Sequence, residues 1–133
     1  MNLEFAIGNL VIGPLMLLLS FIFAKYPPKK INEIYGYRTR RSTRNQECWD
    51  FANRHSIRLM WKISIITCIV QAIGIILLDK EVALLTTTIV LVITLIYSVF
   101  LTEKALKNTF DKEGNRLWKS FALVEITSST LRN

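Results

Sequence analysis

The feature that most constrains this chain is an unbroken stretch, Phe5 to Ala24, that carries no charged residue. A helix of that length rises about 30 Å at ~1.5 Å per residue, which matches the hydrocarbon thickness of a bilayer. Two more apolar blocks follow. Val82 to Thr102 is likewise uncharged and rich in Ile, Leu, Val and Thr. Ile63 to Leu78 is shorter, but Leu59, Met60 and Trp61 extend it, and Lys62 can snorkel its ammonium to the headgroups. The apolar residues are blocked rather than periodic and make up 51% of the sequence, which is a membrane pattern. The expected fold class is an all-α integral membrane protein with three transmembrane helices, over about 5–24, 59–78 and 82–102. A chain of 133 residues has room for one domain.

The first block does not read as a secretory leader. It opens Met-Asn-Leu-Glu without a basic region, its apolar run exceeds the usual ~7–15 residues, and Ala24-Lys25-Tyr26 is a poor cleavage site. The net charge of +7 is distributed unevenly. Lys25, Lys29, Lys30, Arg38, Arg40, Arg41, Arg44, Arg54, Arg58 and Lys62 lie between the first two blocks, and six more cations follow the third. The turn between blocks two and three holds only Asp79, Lys80 and Glu81. By the positive-inside rule the loop 25–58 and the tail 103–133 face the cytoplasm, with the N-terminus and the 79–81 turn outside. The charge therefore reads as an orientation device, and nucleic acid is not an expected partner.

Within the loop, Pro27 and Pro28 end the first helix and Gly36 permits a bend. Thr43 and Gln46 have capping-box spacing, so a helix is expected over about Arg44 to Ser56. Trp49, Ala52, Ser56, Leu59 and Met60 share one face, while Asp50 and Arg54 are spaced to pair. The reading is an interfacial amphipathic helix against the inner leaflet, running on into the second span, with Trp49 and Trp61 at headgroup depth. After the third span, Glu103 to Lys112 continues as a charged helix to Gly114-Asn115. Leu117, Trp118, Phe121 and Val124 then have helical spacing in a run too short to span.

Little here points to catalysis. The apolar blocks hold no Asp, Glu, His or Lys at depth, so a proton-coupled transporter or membrane enzyme lacks its usual groups. His55 is the sole histidine and shares no good face with Cys48 or Asp50, so no metal site is expected. Cys48 and Cys68 have neither zinc nor redox spacing, and a disulfide between a reduced loop and a span is not expected. No cofactor is expected. Asn9, Gln71 and Thr88 fall at a common depth beneath the outer surface. They are read either as interhelical hydrogen bonds or as a polar notch, opened by Gly13 and Pro14, that meets a ligand from the outer leaflet.

One string is unusual. Pro27-Pro28-Lys29-Lys30-Ile31-Asn32 is followed by Tyr35-Gly36-Tyr37-Arg38-Thr39, then Ser42, Asn45, Gln46-Glu47, Trp49, Phe51, Ala52, Asn53 and Arg54. It resembles the signature of the SdpI/YfhL family of bacterial membrane proteins. Thr102-Glu103-Lys104 and Phe110-Asp111-Lys112 add weaker similarity, while Cys48 stands where a small residue is expected. The resemblance implies immunity to a secreted, membrane-active peptide toxin, by sequestering or blocking it. It also implies signalling through a cytoplasmic transcription repressor held at the membrane. Asn9, Pro14, Gln71 and Thr88 then become candidate toxin contacts.

In the motif, Tyr35, Gly36, Tyr37, Arg38, Thr39, Arg40, Arg41, Asn45, Glu47, Trp49, Asn53 and Arg54 are the candidate residues for lipid or partner binding. Arginine forks suit phosphate or carboxylate, and each is worth about 1 kcal/mol near an anionic leaflet. Alternatively Glu33, Glu47 and Asp50 accept from them and fold the loop into a cap. A mixture is expected, with Arg38 paired internally and Arg40-Arg41 left for anionic lipid or a partner. A membrane-tethered regulator, a lipid-headgroup module and a homo-oligomer remain as alternatives beside the immunity reading.

Overall fold

The computed structural model describes residues 3–117, apart from the side chains at positions 5, 6 and 9–11. Three helices follow one another: α1 (Leu3–Lys25), α2 (Gln46–Leu77) and α3 (Lys80–Thr109). Two of them, α2 and α3, are long and apolar enough to cross a membrane. Only Leu78 and Asp79 separate these two, so they form an antiparallel hairpin. Their outer faces are covered with exposed apolar side chains, among them Ile76 (80% exposed), Ile96 (66%) and Phe100 (62%). Water does not tolerate so large an apolar surface on a monomer, whereas hydrocarbon does.

The helix expected from Arg44 to Ser56 does run on into the second span. It is the first part of α2, which runs unbroken from Gln46. The N-cap is Asn45 rather than Thr43: Asn45 Oδ1 accepts the Cys48 amide at 2.8 Å. Thr43 is engaged elsewhere, its hydroxyl donating to the Thr39 carbonyl at 2.9 Å. Asp50 accepts from Gln46 Nε2 at 2.8 Å, one turn before it rather than one turn after. At the other end α3 stops at Thr109, before the expected Lys112. Phe110 is extended and buried, and it bridges to Arg116 around a turn in which Gly114 takes φ +93°. The tail residues Trp118, Phe121 and Val124 lie outside the described residues.

Small and hydroxylated residues let the helices approach closely. Ser20 and Ser64, both fully buried, hydrogen-bond each other across α1 and α2, and Ser64 also donates to Met60 O at 2.7 Å and Met16 O at 3.1 Å. Gly74 faces Ala83 across the hairpin, where an added Cβ would sit 3.3 Å from the alanine methyl. At that same end α1 meets α3 through Gly8 and Leu84. Toward the opposite end lies a wedge lined by Phe23 of α1, Ile57 and Met60 of α2, and Leu95 and Val99 of α3.

Candidate functional site

The loop 26–45 closes that wedge. Its central residues, Tyr35-Gly36-Tyr37, form a strap with one aromatic ring on each outer helix. Tyr35 stacks on Phe23 of α1 with ring centroids 6.2 Å apart. Tyr37 reaches the other way, its hydroxyl donating to Glu103 Oε1 and to the Val99 carbonyl of α3, both at 3.2 Å. Burial raises the Tyr37 phenol above its ordinary pKa, and the Glu103 carboxylate adds to the shift. The phenol thus stays a neutral donor throughout the physiological range.

Between the two rings the strap is fastened to α2. The Tyr37 amide donates to Asn53 Oδ1 at 2.6 Å, and Asn53 Nδ2 donates to the Trp49 carbonyl at 2.9 Å. Trp49 is fully buried, and its indole N–H donates to the Pro28 carbonyl at 3.0 Å. Gly36 takes φ +116°, and a Cβ there would lie 2.8 Å from Asn53 Oδ1 and 2.9 Å from Pro28 Cγ. The glycine is required by both its dihedral and its surroundings.

The rest of the loop is held by its own polar side chains. Asn32 Oδ1 accepts the amides of Ile34 and Tyr35 in an Asx turn. The fully buried Ser42 accepts the Thr39 amide at 2.8 Å and donates to the Tyr37 carbonyl at 2.9 Å. Gln46 Nε2 donates to the Lys29 carbonyl at 2.7 Å. Arg38 is bound within the loop, through the Glu33 carbonyl at 2.6 Å rather than through a carboxylate.

A second fastening ties α2 to the end of α3. Besides capping α2, Asn45 donates through Nδ2 to the Gly114 carbonyl at 2.7 Å. Arg116 Nε binds Glu47 Oε1 at 2.8 Å, and its guanidinium lies over the Phe110 ring. Cys48 is buried beside Ala52, Leu106 and Phe110 with Sγ 3.7 Å from the Gly114 carbonyl. The pair Arg41–Glu103, at 3.6 Å, adds a longer contact to the same region.

The turn 110–116 has a pH dependence with a definite sign. Asp111 is held below the ordinary carboxylate range, first by the Asn115 amide and further by the Asn115 side chain and the Gly114 and Glu113 amides. A depressed folded-state pKa contributes stability that is present above the unfolded value and is lost as pH falls through the folded one. Protection of the Glu113 and Asn115 amides, taken against the intrinsic exchange rate at each pH, is therefore expected to hold steady from neutral pH down and to fall only below the usual carboxylate range. Asp111→Ala should exchange fast at every pH. Protection that is lost near neutrality would contradict this assignment.

The candidate residues thus divide. Tyr35, Gly36, Tyr37, Thr39, Asn45, Trp49 and Asn53 come together as the strap and its fastenings, and Glu47 pairs across to Arg116. Trp49 is inside this assembly and not at an interface, because its N–H finds Pro28 and its ring packs behind Gly36. Arg38, Arg40 and Arg54 present exposed side chains, while Arg41 is half-buried at Glu103. The described members of the second group do not converge. Gln71 is buried where Gly13 has no side chain, whereas Pro14 and Thr88 are exposed, and the Thr88 hydroxyl bonds its own helix at Leu84 O. The Asn9 side chain lies outside the described residues. Sequence reading missed Pro28, Ser42 and Glu103 as working parts; the Thr39-x-x-Ser42 spacing was the available signal for Ser42. Among the described residues no group of three His, Cys, Asp or Glu is placed to hold a metal ion.

Beneath the strap lies a cavity of about 230 Å³, walled by Phe23, Ile57, Met60, Leu95 and Val99 and roofed by Pro28, Gly36 and Tyr37. No solved structure matches the chain. YfhL of Bacillus subtilis (strain 168), described as an uncharacterized protein, is 39% identical over 113 residues, 84% of this chain and 98% of that one. Residues 29–102, which span the strap, α2 and most of α3, match the profile of the SdpI/YfhL protein family. With the match extending over more than half of its residues and a relative this similar, the chain belongs to the SdpI/YfhL family.

Proposed function

We propose that this chain is an immunity protein of the bacterial cytoplasmic membrane, which protects the producing cell by binding or blocking a secreted membrane-active peptide. Family membership supports the reading, and one structural observation carries it. The residues that mark the family are built into a rigid cap on an apolar helix bundle rather than into a catalytic constellation. Glu103, the carboxylate that the strap itself binds, is held by both Tyr37 and Arg41.

In this reading α1 is the third span. The cap faces the cytoplasm, because the basic loop and the basic end of α3 are fastened together at one end of the bundle. The exposed Lys29, Lys30, Arg38 and Arg40 rest on the anionic leaflet, and the outward-facing Pro14 and Thr88 lie on the half of the bundle that meets the toxin. A membrane-tethered regulator is the second reading. The exposed Arg38 and Arg40 favour it by offering a cationic surface to a soluble repressor.

The test is to produce the protein in a bacterium sensitive to such a peptide and to follow survival against peptide dose. Protection should appear with the wild type and weaken with Arg38→Gln combined with Arg40→Gln. An unchanged killing curve, with the protein recovered in the membrane fraction, overturns the immunity reading.

A further inference from the structure

The cavity beneath the strap has a chemistry of its own. It is half again as large as the roughly 150 Å³ engineered cavity that takes up benzene. Four polar side chains line it, and each is already engaged with the protein. Asn53 bonds Tyr37 N and Trp49 O, Ser56 donates to Asn53 O, Ser98 donates to Leu95 O, and the Tyr37 hydroxyl donates to Val99 O and Glu103. A peptide segment laid there would leave its own amides and carbonyls short of partners, at several kcal/mol each. A hydrocarbon chain has no such groups. Its surroundings supply the other half of the argument. Lys29 and Lys30 directly follow Pro28 of the roof, and both are exposed.

We infer that the wedge between α1 and α3 beneath the Tyr35-Gly36-Tyr37 strap is a site for one acyl chain of an anionic phospholipid, whose headgroup is held by Lys29 and Lys30. The chain enters sideways, where the outer helices are apart, and the strap limits how far it rises. The headgroup then sits at the level of these two lysines, just past the point where α1 passes into the loop. The site orders the cap by filling the space on which it rests. This inference rests on the membrane placement proposed above and not on toxin immunity.

Trp49 packs directly behind Gly36 and is a built-in reporter. The full chain carrying Trp61→Phe and Trp118→Phe is reconstituted into phosphatidylcholine vesicles, with flotation confirming insertion. It is then titrated with phosphatidylglycerol brominated along its acyl chains. Saturable quenching of Trp49 is expected, half complete at about tenfold lower lipid than with brominated phosphatidylcholine. Ser98→Phe, which fills the cavity from α3, should abolish the saturable part, and Ser56→Leu fills it from α2 should the first variant fail to fold. Lys29→Gln with Lys30→Gln should erase the preference for phosphatidylglycerol. The inference is overturned if a folded cavity-filling variant is quenched like the parent, if the two lipids quench alike, or if quenching appears only with a brominated hydrophobic peptide. Failure to float with vesicles would instead overturn the membrane placement, and a toxin challenge fails or succeeds independently of all these outcomes.

Discussion

Gly36→Ala is expected to be among the most damaging single substitutions in the protein and to detach the strap from α2. Two effects add. A non-glycine residue at φ +116° is strained by about 1–3 kcal/mol. The new methyl also falls 2.8 Å from Asn53 Oδ1, the atom that accepts the Tyr37 amide. Moving Asn53 aside leaves that partly buried amide without its partner, at about another 1 kcal/mol or more. Relief by rotating a flexible neighbour is blocked, because the second contact is Pro28 Cγ and the third is Trp49 Cζ2 at 3.2 Å. The combined loss is a large part of the ~5–15 kcal/mol that holds a typical domain together. Thermal unfolding of the purified protein and limited proteolysis within residues 29–45 are the measurements. Gly36→Ala should unfold at a markedly lower temperature and be cut rapidly in the loop while the helices survive. Gly114→Ala, where φ is +93° and the new methyl would meet Asn45 Nδ2 at 2.7 Å, should open the second fastening and leave the strap in place. A Gly36→Ala protein as resistant as wild type would mean that the strap is not what holds the loop.

The helices were legible in the sequence because a bilayer-length run without charge admits few other folds. The first and third expected apolar stretches fall within observed helices, the second overruns the end of α2 by one residue, Leu78, and the bend at Gly36 and the break at Pro27-Pro28 are where local chemistry placed them. The cap was not legible, for a physical reason. Its hydrogen bonds join partners far apart in the chain, such as Tyr37 with Glu103, Asn45 with Gly114 and Arg116 with Glu47. No periodicity encodes such pairings. Local competition also misled the placement of the cap residue of α2. Thr43 and Asn45 both suit the role, and the choice went to Asn45 because its second polar atom could also hold Gly114. Arginines read as a single cationic surface divide for the same reason. Arg38 meets a carbonyl five residues back while staying exposed, Arg41 is half-buried against a carboxylate on α3, and Arg40 and Arg54 are exposed.

Trp49 offers the sharpest contrast between a residue that anchors to a membrane and one that holds a fold. Interfacial tryptophan gains its stabilisation from headgroups, so its contribution depends on the bilayer. A packed tryptophan keeps its contribution in any solvent that preserves the fold. Here the ring is fully buried and its N–H is bound to Pro28, so the second case applies. Trp49→Ala should cost about 3–5 kcal/mol, the range for deleting a large buried aromatic, and should release the loop that Pro28 begins. Trp49→Phe retains much of the volume and removes only the donor, so about 1–3 kcal/mol is expected from the unpaired Pro28 carbonyl. Unfolding followed in detergent micelles and in lipid vesicles provides the decision. The two variants should rank Ala below Phe below wild type in both media, with similar gaps. If the losses are seen in vesicles and vanish in micelles, Trp49 acts on the bilayer. The buried hub that joins strap, loop and α2 would then have to be assigned to Asn53 alone.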